Sequence, residues 1–421
     1  MAVARMERKT TAVVDLSREL LHTCKAAPDL RLKESAFTRE RKLGAERMLH
    51  MLLHRLAGPL QLELDAYCEF LEEASVSKQA FSKARANLNP AFVRKFADGI
   101  AEVHARDSDA PSWGGMRLIA IDGTAIALEN SAELKGVFGC SGARRDAATA
   151  LGSLAYGPLD HAIYDCQIAP YATDERDLAK LHMTRLHQLG LKGSLLLFDR
   201  WYPSASFLAY TISADFFFVM RVREKWNLQV DAVENEDWVT LTHEGKDYPV
   251  RVLKVVLSNG ETETLLTNLN PNQLPLDQAT QLYFKRWGIE TAYDTLKSKF
   301  QLENFSGKTE VSVLQDFYAT IYLAGFAAIC AAEVDEMIAD NDKNKVLKYH
   351  RKSNQNRTIA KLRDRFWRIL LQNDPVLREQ MLDRLCADIA VRPESVRPDR
   401  SPARNSPRKK RFHMAKKSVL P

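Results

Sequence analysis

The spacing of apolar residues changes near residue 110. Upstream, segments such as AFTRERKLGAERMLHMLLHRL and LDAYCEFLEEA repeat apolar residues every three or four positions, which predicts helices over residues 10–105. Downstream, RLIAIDGT and SLLLFDRWY contain short, continuous apolar runs that are typical of strands buried on both faces. The chain therefore predicts a helical N-terminal region followed by a mixed α/β region.

The α/β region continues as an alternation of strands and helices. TALGSLAYG and DHAIYDCQIAPY predict a hairpin, DERDLAKLHMTRLHQLG and SASFLAYTI predict helices, and DFFFVMRVR predicts another strand. Residues 224–270 alternate like strands and contain the turn dipeptide Asn259-Gly260, which predicts a β-rich insertion. A long helix is predicted to begin near Asp277, and the uncharged run FYATIYLAGFAAICAA is predicted to form a helix buried inside the protein.

The run YFKRWGIETAYDTLKSKF carries two stripes when it is placed on one helix. Counted from Tyr283 at 100° per residue, Arg286, Glu290 and Lys297 fall at about −60°, −20° and −40°. The apolar stripe, which is expected to face the core, consists of Leu282, Ile289, Leu296 and Phe300. The charged stripe alone is compatible with an ordinary salt-bridged surface, in which Glu290 pairs with Arg286.

A shorter helix is predicted over SKQAFSKARANL, with Ser75 or Ser77 as its cap. Its inward side is predicted to consist of Ala80, Phe81, Ala84 and Leu88. Lys78, Ser82 and Arg85 then line the opposite side, which suits either a small helix offered to DNA or a plain surface helix.

Composition describes an ordinary globular chain of 421 residues, with 45% apolar and 27% charged residues. The six cysteines include no CxxC pair, which favours free thiols in a reducing cytoplasm over a zinc ribbon or a disulfide frame. No continuous apolar signal segment follows the N-terminus, and we expect a cytoplasmic protein with no membrane partner.

The net charge of +6 is unevenly distributed. Residues 392–417 contain ten Lys and Arg against Glu394 and Asp399, a net charge of +8. This Pro- and Ser-punctuated segment cannot bury enough apolar area to fold alone and suits a polyanionic partner, although a disordered solubilising end has the same composition.

Two aspartates follow the buried strands, Asp122 in RLIAIDGT and Asp199 in SLLLFDRWY. Ligands and chemistry collect where strands of such sheets end, so we expect these carboxylates at one rim, with Glu290 joining them from the long helix. Three close carboxylates repel one another unless cations are present. Two Mg²⁺ or Mn²⁺ ions would balance them and could activate water or a 3′-hydroxyl for attack on a phosphate. Each aspartate alone could equally cap a helix or a turn.

With these aspartates and the charged stripe, the sequence resembles the bacterial insertion-sequence transposases of the DDE class. Tyr283, Arg286, Glu290 and Lys297 match the Y-(2)-R-(3)-E-(6)-K signature of the insertion sequence four family without a gap. IDGT and FDRWY resemble its two aspartate motifs, and SKQAFSKAR resembles part of its N-terminal domain. The resemblance covers roughly residues 35–370.

The resemblance implies an α/β fold with an RNase H-like catalytic core. The expected units are a helical DNA-binding domain (1–110), a catalytic domain in two pieces (111–223 and 271–335), the β-stranded insertion (224–270), a helical C-terminal region (336–390) and a basic disordered tail (391–421). It also implies binding of double-stranded DNA at terminal inverted repeats and at a target, metal-dependent cut-and-paste transposition through a DNA hairpin, and a homodimer assembled on DNA.

The resemblance assigns site residues at the matching positions. Asp122, Asp199 and Glu290 are the expected catalytic acids and metal ligands. The expected DNA contacts, including those proposed from charge alone, are Tyr283, Arg286, Lys297, Arg200, Lys78, Arg85, Arg408, Lys409, Lys410 and Arg411. Trp201 stands where the family usually has glycine, which bears on packing beside Asp199 and on activity. Trp226 and Trp238 could stack on a flipped base or be core residues.

Two other functions fit the same residues. A degenerate copy could hold DNA ends without cutting them, and an RNase H-like nuclease or resolvase could use the same carboxylates. The second alternative provides no reason for the end-binding helix or for the charged stripe.

Overall fold

The computed structural model describes residues 8–39, 42–54, 59–142, 147–257 and 260–397. The N-terminal region is helical, as predicted. Its helices are α1 (Lys9–Thr23), α2 (Ala45–Leu53), α3 (Leu60–Phe70), α4 (Lys78–Arg85) and α5 (Pro90–Ala105), with 3₁₀ turns at Cys24–Ala26 and Pro28–Leu30. Two of the caps are side chains: Ser77 accepts from Ala80 N–H at the start of α4, and Asn89 accepts from Ala91 N–H at the start of α5.

A single mixed sheet forms the centre of the described chain. Its strands are β1 (Leu118–Ala127), β2 (Cys140–Ser141), β3 (Ala147–Tyr156), β4 (Ile163–Pro170), β5 (Leu195–Phe198), β6 (Phe217–Val222), β7 (Glu236–His243), β8 (Lys246–Val256) and β9 (Thr262–Thr267). The strand order is β2-β3-β1-β5-β6-β9-β8-β7, and β4 also pairs with β3. Pairing is parallel between β1 and β5 and between β5 and β6, and antiparallel elsewhere in the sheet. The predicted hairpin is β3–β4.

The β-rich insertion lengthens this sheet. Its strand β9 pairs antiparallel with β6, with Val219 opposite Thr267, and β8 and β7 follow outward. The sequence predicts the three strands but not their attachment, because pairing with β6 is a long-range contact. Asn259, half of the predicted turn, lies outside the described residues, whereas Gly260 has the positive φ of 82° expected in such a turn.

Helices cover both faces of the sheet. Along β1, Leu118 and Ala120 enter the larger core cluster, while Ile119 and Ile121 enter the smaller one. This alternation is the period of two expected of a strand buried on both faces. Helices α7 (Glu175–Gln188) and α8 (Ala205–Ser213) contribute to the smaller cluster, and α5 contributes to the larger one. The remaining helices on this stretch are α6 (Ala132–Phe138) and α9 (Leu228–Asp231).

The predicted long helix is interrupted. It consists of α10 (Leu276–Phe284) and α11 (Trp287–Ser298), and Arg286 lies at the break. There the backbone bonds tighten to a spacing of three residues, as in Arg286 N–H to Tyr283 carbonyl and Ile289 N–H to Arg286 carbonyl. The apolar stripe is buried as predicted, and Tyr293 is buried with it.

The C-terminal helices are α12 (Glu310–Asp342), α13 (Gln355–Leu371) and α14 (Pro375–Ala390). Helix α12 is long and apolar enough to cross a membrane by length and composition alone, but 67% of its apolar window is buried inside the protein. The prediction of a buried helix is confirmed. The short strands β10 (Arg351–Lys352) and β11 (Glu394–Ser395) pair antiparallel. The first residues assigned to the disordered tail are therefore part of the folded protein.

The exposed side of α4 differs from the prediction. Ala80, predicted to face inward, is exposed, and Arg85, predicted to face DNA, is buried. Arg85 donates to Asp316 Oδ1 at 3.0 Å, Gln315 Oε1 at 2.9 Å and Ser306 Oγ at 2.6 Å. The assignment of Arg85 to DNA recognition is therefore wrong, because its donors are used to fasten α4 to α12.

We expect the substitution Arg85→Met to lower the free energy of unfolding by about 3–5 kcal/mol, because it removes the positive charge that contacts the buried carboxylate of Asp316. Lys83→Met, on the exposed side of the same helix, is the matched control and should change stability by about 0.5 kcal/mol or less. Urea unfolding of both variants provides the measurement. Equal midpoints would show that the buried pair does not hold the two regions together.

Candidate functional site

Two aspartates lie side by side where the parallel pairing of β1 and β5 ends. The last paired residues are Ala120 and Leu197, and two positions further along are Asp122 and Asp199. Because side chains alternate along a strand, both carboxylates belong to the sheet face of Ala120 and Leu197, which is the face of the larger core. Asp199 directly follows β5 as predicted, but β1 continues past Asp122 to Ala127.

Burial and like charge disfavour ionisation of this pair. The pKa of Asp122 is raised to about 7, first by burial and then by the charge of Asp199, against the lowering effect of Arg286. Burial also raises the pKa of Asp199, opposed by the backbone N–H of Trp201, which donates to Oδ1 at 2.7 Å, and by the charge of Arg286. A bound cation would favour the ionised form of both carboxylates.

The guanidinium of Arg286 lies between Asp122 and the third predicted acid. Its Nη1 donates to Asp122 Oδ2 at 3.3 Å, and its Nη2 donates to Glu290 Oε1 at 2.9 Å. Arg286 is buried, whereas the Glu290 side chain is 43% exposed. The charged stripe thus forms the ordinary i,i+4 salt bridge and also reaches the acids of the sheet.

The three predicted carboxylates are not assembled into one metal site. The described residues contain no group of three or more His, Cys, Asp and Glu side chains that could hold a metal ion. Magnesium, however, is commonly bound through one or two carboxylates, with water and substrate phosphate as its other ligands. The Asp122–Asp199 pair offers the carboxylate oxygens that such an ion needs, whereas Glu290 is bonded to Arg286.

Tyr283 and Lys297 contact the backbone of the acid-bearing strands. The buried Tyr283 hydroxyl donates to the Phe198 carbonyl at 3.2 Å. Lys297 Nζ donates to the Ala125 carbonyl at 2.6 Å and to Thr124 Oγ1 at 2.9 Å. In this arrangement both side chains hold α10 and α11 against the sheet, and their contact with DNA stays a prediction.

Glu175, the first residue of α7, is a nearby carboxylate that the sequence reasoning missed. Its Oε2 accepts a hydrogen bond of 3.1 Å from the Tyr202 hydroxyl. Burial raises the pKa of Glu175, the Tyr202 bond lowers it, and the charge of Asp199 raises it again. A Cβ on Gly123 would lie 2.8 Å from the Glu175 carboxyl carbon, so glycine after Asp122 is needed for this approach. The glycine in IDGT is the feature of the sequence that could have indicated a close neighbour at this position.

Trp201 does not pack into the core beside Asp199. Its side chain is 60% exposed, and the Arg223 guanidinium lies over its ring, 3.1 Å from the centroid. Arg200 is exposed beside it, and its positive charge lowers the pKa of Asp199. The large residue in place of glycine therefore leaves the backbone contact of Trp201 with Asp199 intact.

The remaining predicted contacts lie further from the acids in sequence. Trp226 is partly buried and donates to the Pro203 carbonyl at 3.2 Å, whereas Trp238 is 44% exposed, so a core role fits only Trp226. Lys78 is exposed on α4, as predicted. The basic tail residues Arg408, Lys409, Lys410 and Arg411 lie outside the described residues.

We expect Asp122→Asn to stabilise the metal-free protein increasingly as the pH rises from about 4 to about 7. A carboxyl whose pKa rises from 3.8 in the unfolded chain to about 7 in the folded protein contributes stability below pH 4 that is lost as the pH reaches 7. The asparagine side chain does not titrate, so the variant escapes that loss. Melting temperatures across this range, with Asp294→Asn as an exposed-acid control, provide the test. A pH-independent difference between Asp122→Asn and wild type would contradict it.

Two comparisons with known proteins do not assign the chain to a family. No curated protein matches the sequence. Among solved structures, the chain is similar to a piggyBac transposase in a cryo-EM structure of a synaptic complex with hairpin DNA, at 12% identity, with 92% of this chain and 78% of that chain covered. The TM-score of 0.43 gives that similarity no weight in the assignment.

The match to a protein family carries the assignment. The family described as "Transposase DDE domain" matches residues 113–324, which is half of the chain and contains Asp122, Asp199 and Glu290. DDE transposases cleave and transfer DNA strands and typically use divalent metal ions. The chain belongs to the transposase DDE domain family.

Proposed function

We propose that the protein binds the terminal inverted repeats of an insertion sequence and carries out metal-dependent cut-and-paste transposition. The observation that carries this proposal is the adjacent placement of Asp122 and Asp199 beneath a helix that presents Arg286 and Glu290. The antiparallel strands β1, β3 and β4, followed by the parallel strands β5 and β6, support an RNase H-like core for this chemistry.

Asp122 and Asp199 are the proposed holders of the first Mg²⁺ or Mn²⁺ ion, and Glu290 would contribute to a second. Two such ions supply a nucleophilic water or 3′-hydroxyl and stabilise the charge that develops on the phosphate. The residues of this chain present oxygen ligands at a rim where partly buried carboxylates are costly without a cation.

Arg286 has a double role in the proposal. In the protein without DNA or metal, Arg286 forms a salt bridge with Asp122 and another with Glu290. A guanidinium binds phosphate oxygens in the same forked geometry in which it binds carboxylates. An incoming DNA phosphate can therefore take over Arg286 and release Glu290 for the metal.

The surrounding groups support DNA as the partner. Lys297 lies beside β1, Arg200 and Arg223 lie beside Asp199, and Lys78 is exposed on α4. Together with the tail they provide positive charge for a phosphate backbone. The insertion sequence four family, its Y-(2)-R-(3)-E-(6)-K signature, a hairpin intermediate, a homodimer on DNA and a place at the bacterial nucleoid are parts of the same proposal.

A DNA-end-binding protein that does not cut is the second candidate. The observation that favours it is the position of Glu290, which is bonded to Arg286 and separated from the aspartate pair. The two functions differ in whether the wild-type protein cuts the DNA end that it binds.

Glu290→Gln should abolish cleavage and strand transfer while end binding persists, because the amide keeps the side-chain shape but lacks the charge that holds a metal ion. Asp294→Asn, an exposed acid one turn further along α11, is the matched control and should reduce the rate less than about fivefold. Single-turnover cleavage of pre-cut and uncut element ends in Mn²⁺, with binding measured separately, provides the test. If Glu290→Gln cuts at the wild-type rate, the charged stripe is only a salt-bridge surface; if wild type binds ends and never cuts, the second candidate is correct.

Truncation after Arg397 should lower DNA affinity without changing sequence preference. It removes eight Lys and Arg and one Asp, a net side-chain charge of +7, and leaves the β10–β11 pair in place. The slope of log affinity against log salt should become shallower, while the ratio of cognate to random affinity stays nearly constant. A lost preference at an unchanged slope would assign the tail a role in sequence recognition.

A further inference from the structure

A chain of buried hydrogen bonds ends on the backbone of Asp122. Asp165 Oδ2 lies 2.7 Å from His182 Nδ1, His182 Nε2 lies 2.9 Å from Ser153 Oγ, and Ser153 Oγ donates to the Asp122 carbonyl at 3.2 Å. His182 and Ser153 have no exposed surface, and Asp165 is 3% exposed. These three side chains, called here the Asp165–His182–Ser153 chain, come from β4, α7 and β3.

The same three residue types activate a nucleophile in many hydrolases, but that role does not fit here. A nucleophilic serine must be reached by its substrate, and both Ser153 and His182 are fully buried. The serine hydroxyl instead points its hydrogen at a peptide carbonyl. The chain therefore acts on the position of the backbone.

The chain reaches Asp122 from the opposite face of the sheet. Ser153 shares its face with Ala155, which belongs to the smaller core cluster, whereas the Asp122 carboxylate belongs to the face of the larger cluster. From α11, the Tyr293 hydroxyl donates to the same carbonyl at 2.7 Å. Two side-chain donors, from different layers of the fold, thus fix one peptide group.

The number of available hydrogens determines which atom donates in each hydrogen bond of the Asp165–His182–Ser153 chain. Ser153 has one hydroxyl hydrogen, and when it goes to the Asp122 carbonyl, His182 Nε2–H must donate to Ser153. Because Nδ1–H also donates to Asp165, this arrangement requires a hydrogen on both ring nitrogens of His182. The other oxygen of Asp165 accepts from Arg94 at 2.6 Å. Burial acts to raise the pKa of Asp165, but the hydrogen bond and charge of His182 lower it overall, which keeps the carboxylate ionised at the end of the chain.

We propose that Ser153, His182 and Asp165 are positioning residues for the metal-binding carboxylate of Asp122. Fixing the Asp122 carbonyl limits the rotation of its peptide group. This in turn limits the directions in which the Asp122 carboxylate can point. Groups that orient a metal ligand in this way commonly alter metal affinity by 10–100-fold when they are removed. Arg94 lies on α5, so the anchor of this chain is in the N-terminal helical region. The inference rests on the proposed function, because it assumes that Asp122 binds a metal.

The experiment measures Mn²⁺ affinity from the electron paramagnetic resonance signal of free Mn²⁺, alongside the melting temperature. Ser153→Ala should weaken Mn²⁺ binding about tenfold. Ser17→Ala is the matched control, since Ser17 is also fully buried and its Oγ lies 2.7 Å from the Tyr322 hydroxyl, in a bond that does not involve β1. It should lower the melting temperature and leave Mn²⁺ affinity unchanged. Asp122→Asn defines the signal that belongs to this site.

The outcomes separate the inference from the proposed function. If wild type binds Mn²⁺ and Ser153→Ala binds it equally well, the positioning role is wrong, whatever the protein does to DNA. If wild type binds Mn²⁺ but never cleaves DNA, the proposed function fails while a weaker affinity in Ser153→Ala still supports positioning. If wild type does not bind Mn²⁺ either with or without an element end present, both fail. Should Ser153→Ala not fold, Ser153→Cys keeps a weak donor of similar size, and it should show a smaller loss of affinity if the inference holds and none if it does not.

Discussion

The parallel pairing of β1 with β5 places two carboxylates next to each other at a partly buried rim. Asp122 and Asp199 each stand two residues beyond the last paired position, so the register of the sheet fixes their proximity. Two such groups lose hydration and repel each other, and burial together with the charge of Asp199 raises the pKa of Asp122 to about 7. The other groups at the site offset this loss of hydration and this repulsion. Arg286 contributes a positive charge, and a backbone N–H donates to Asp199. The carboxylate oxygens themselves suit a divalent cation.

Three side chains attach α10 and α11, the second of which carries Glu290, to the strands beside the two aspartates. Tyr283 bonds to the backbone of Phe198, directly before Asp199, and Tyr293 bonds to the backbone of Asp122. Lys297 bonds to the backbone of Ala125, three residues further along β1. The charged and aromatic side of α10 and α11 thus packs against the edge of the sheet. This placement brings the residues of an ordinary i,i+4 salt bridge beside the aspartate pair.

The sequence was informative where structure depends on local pattern. Continuous apolar runs predicted β1 and β5, the helical period predicted the buried stripe of α10 and α11, and the spacing from Arg286 to Glu290 predicted their contact. The break at Arg286 was not predicted, because nothing in the periodicity distinguishes a tightened turn from a continuous helix. Arg85 illustrates another limit: an arginine on an exposed helix and one that reaches a buried aspartate more than 200 residues away have the same local sequence.

The parts of the site that the sequence did not predict also depend on contacts between residues far apart in the sequence. Glu175 and His182 approach Asp122 through packing of α7 on the sheet, and Ser153 approaches it through the pairing of β3 with β1. All three are separated from Asp122 by 31 or more positions. Anomalous scattering of Mn²⁺ in crystals of the protein bound to an element end would show directly whether the aspartate pair holds a metal ion. We expect a Mn²⁺ peak between the carboxylates of Asp122 and Asp199, with Arg286 moved from Asp122 to a DNA phosphate. Arg286 still bonded to both Asp122 and Glu290, with no Mn²⁺ at the aspartate pair, would contradict it.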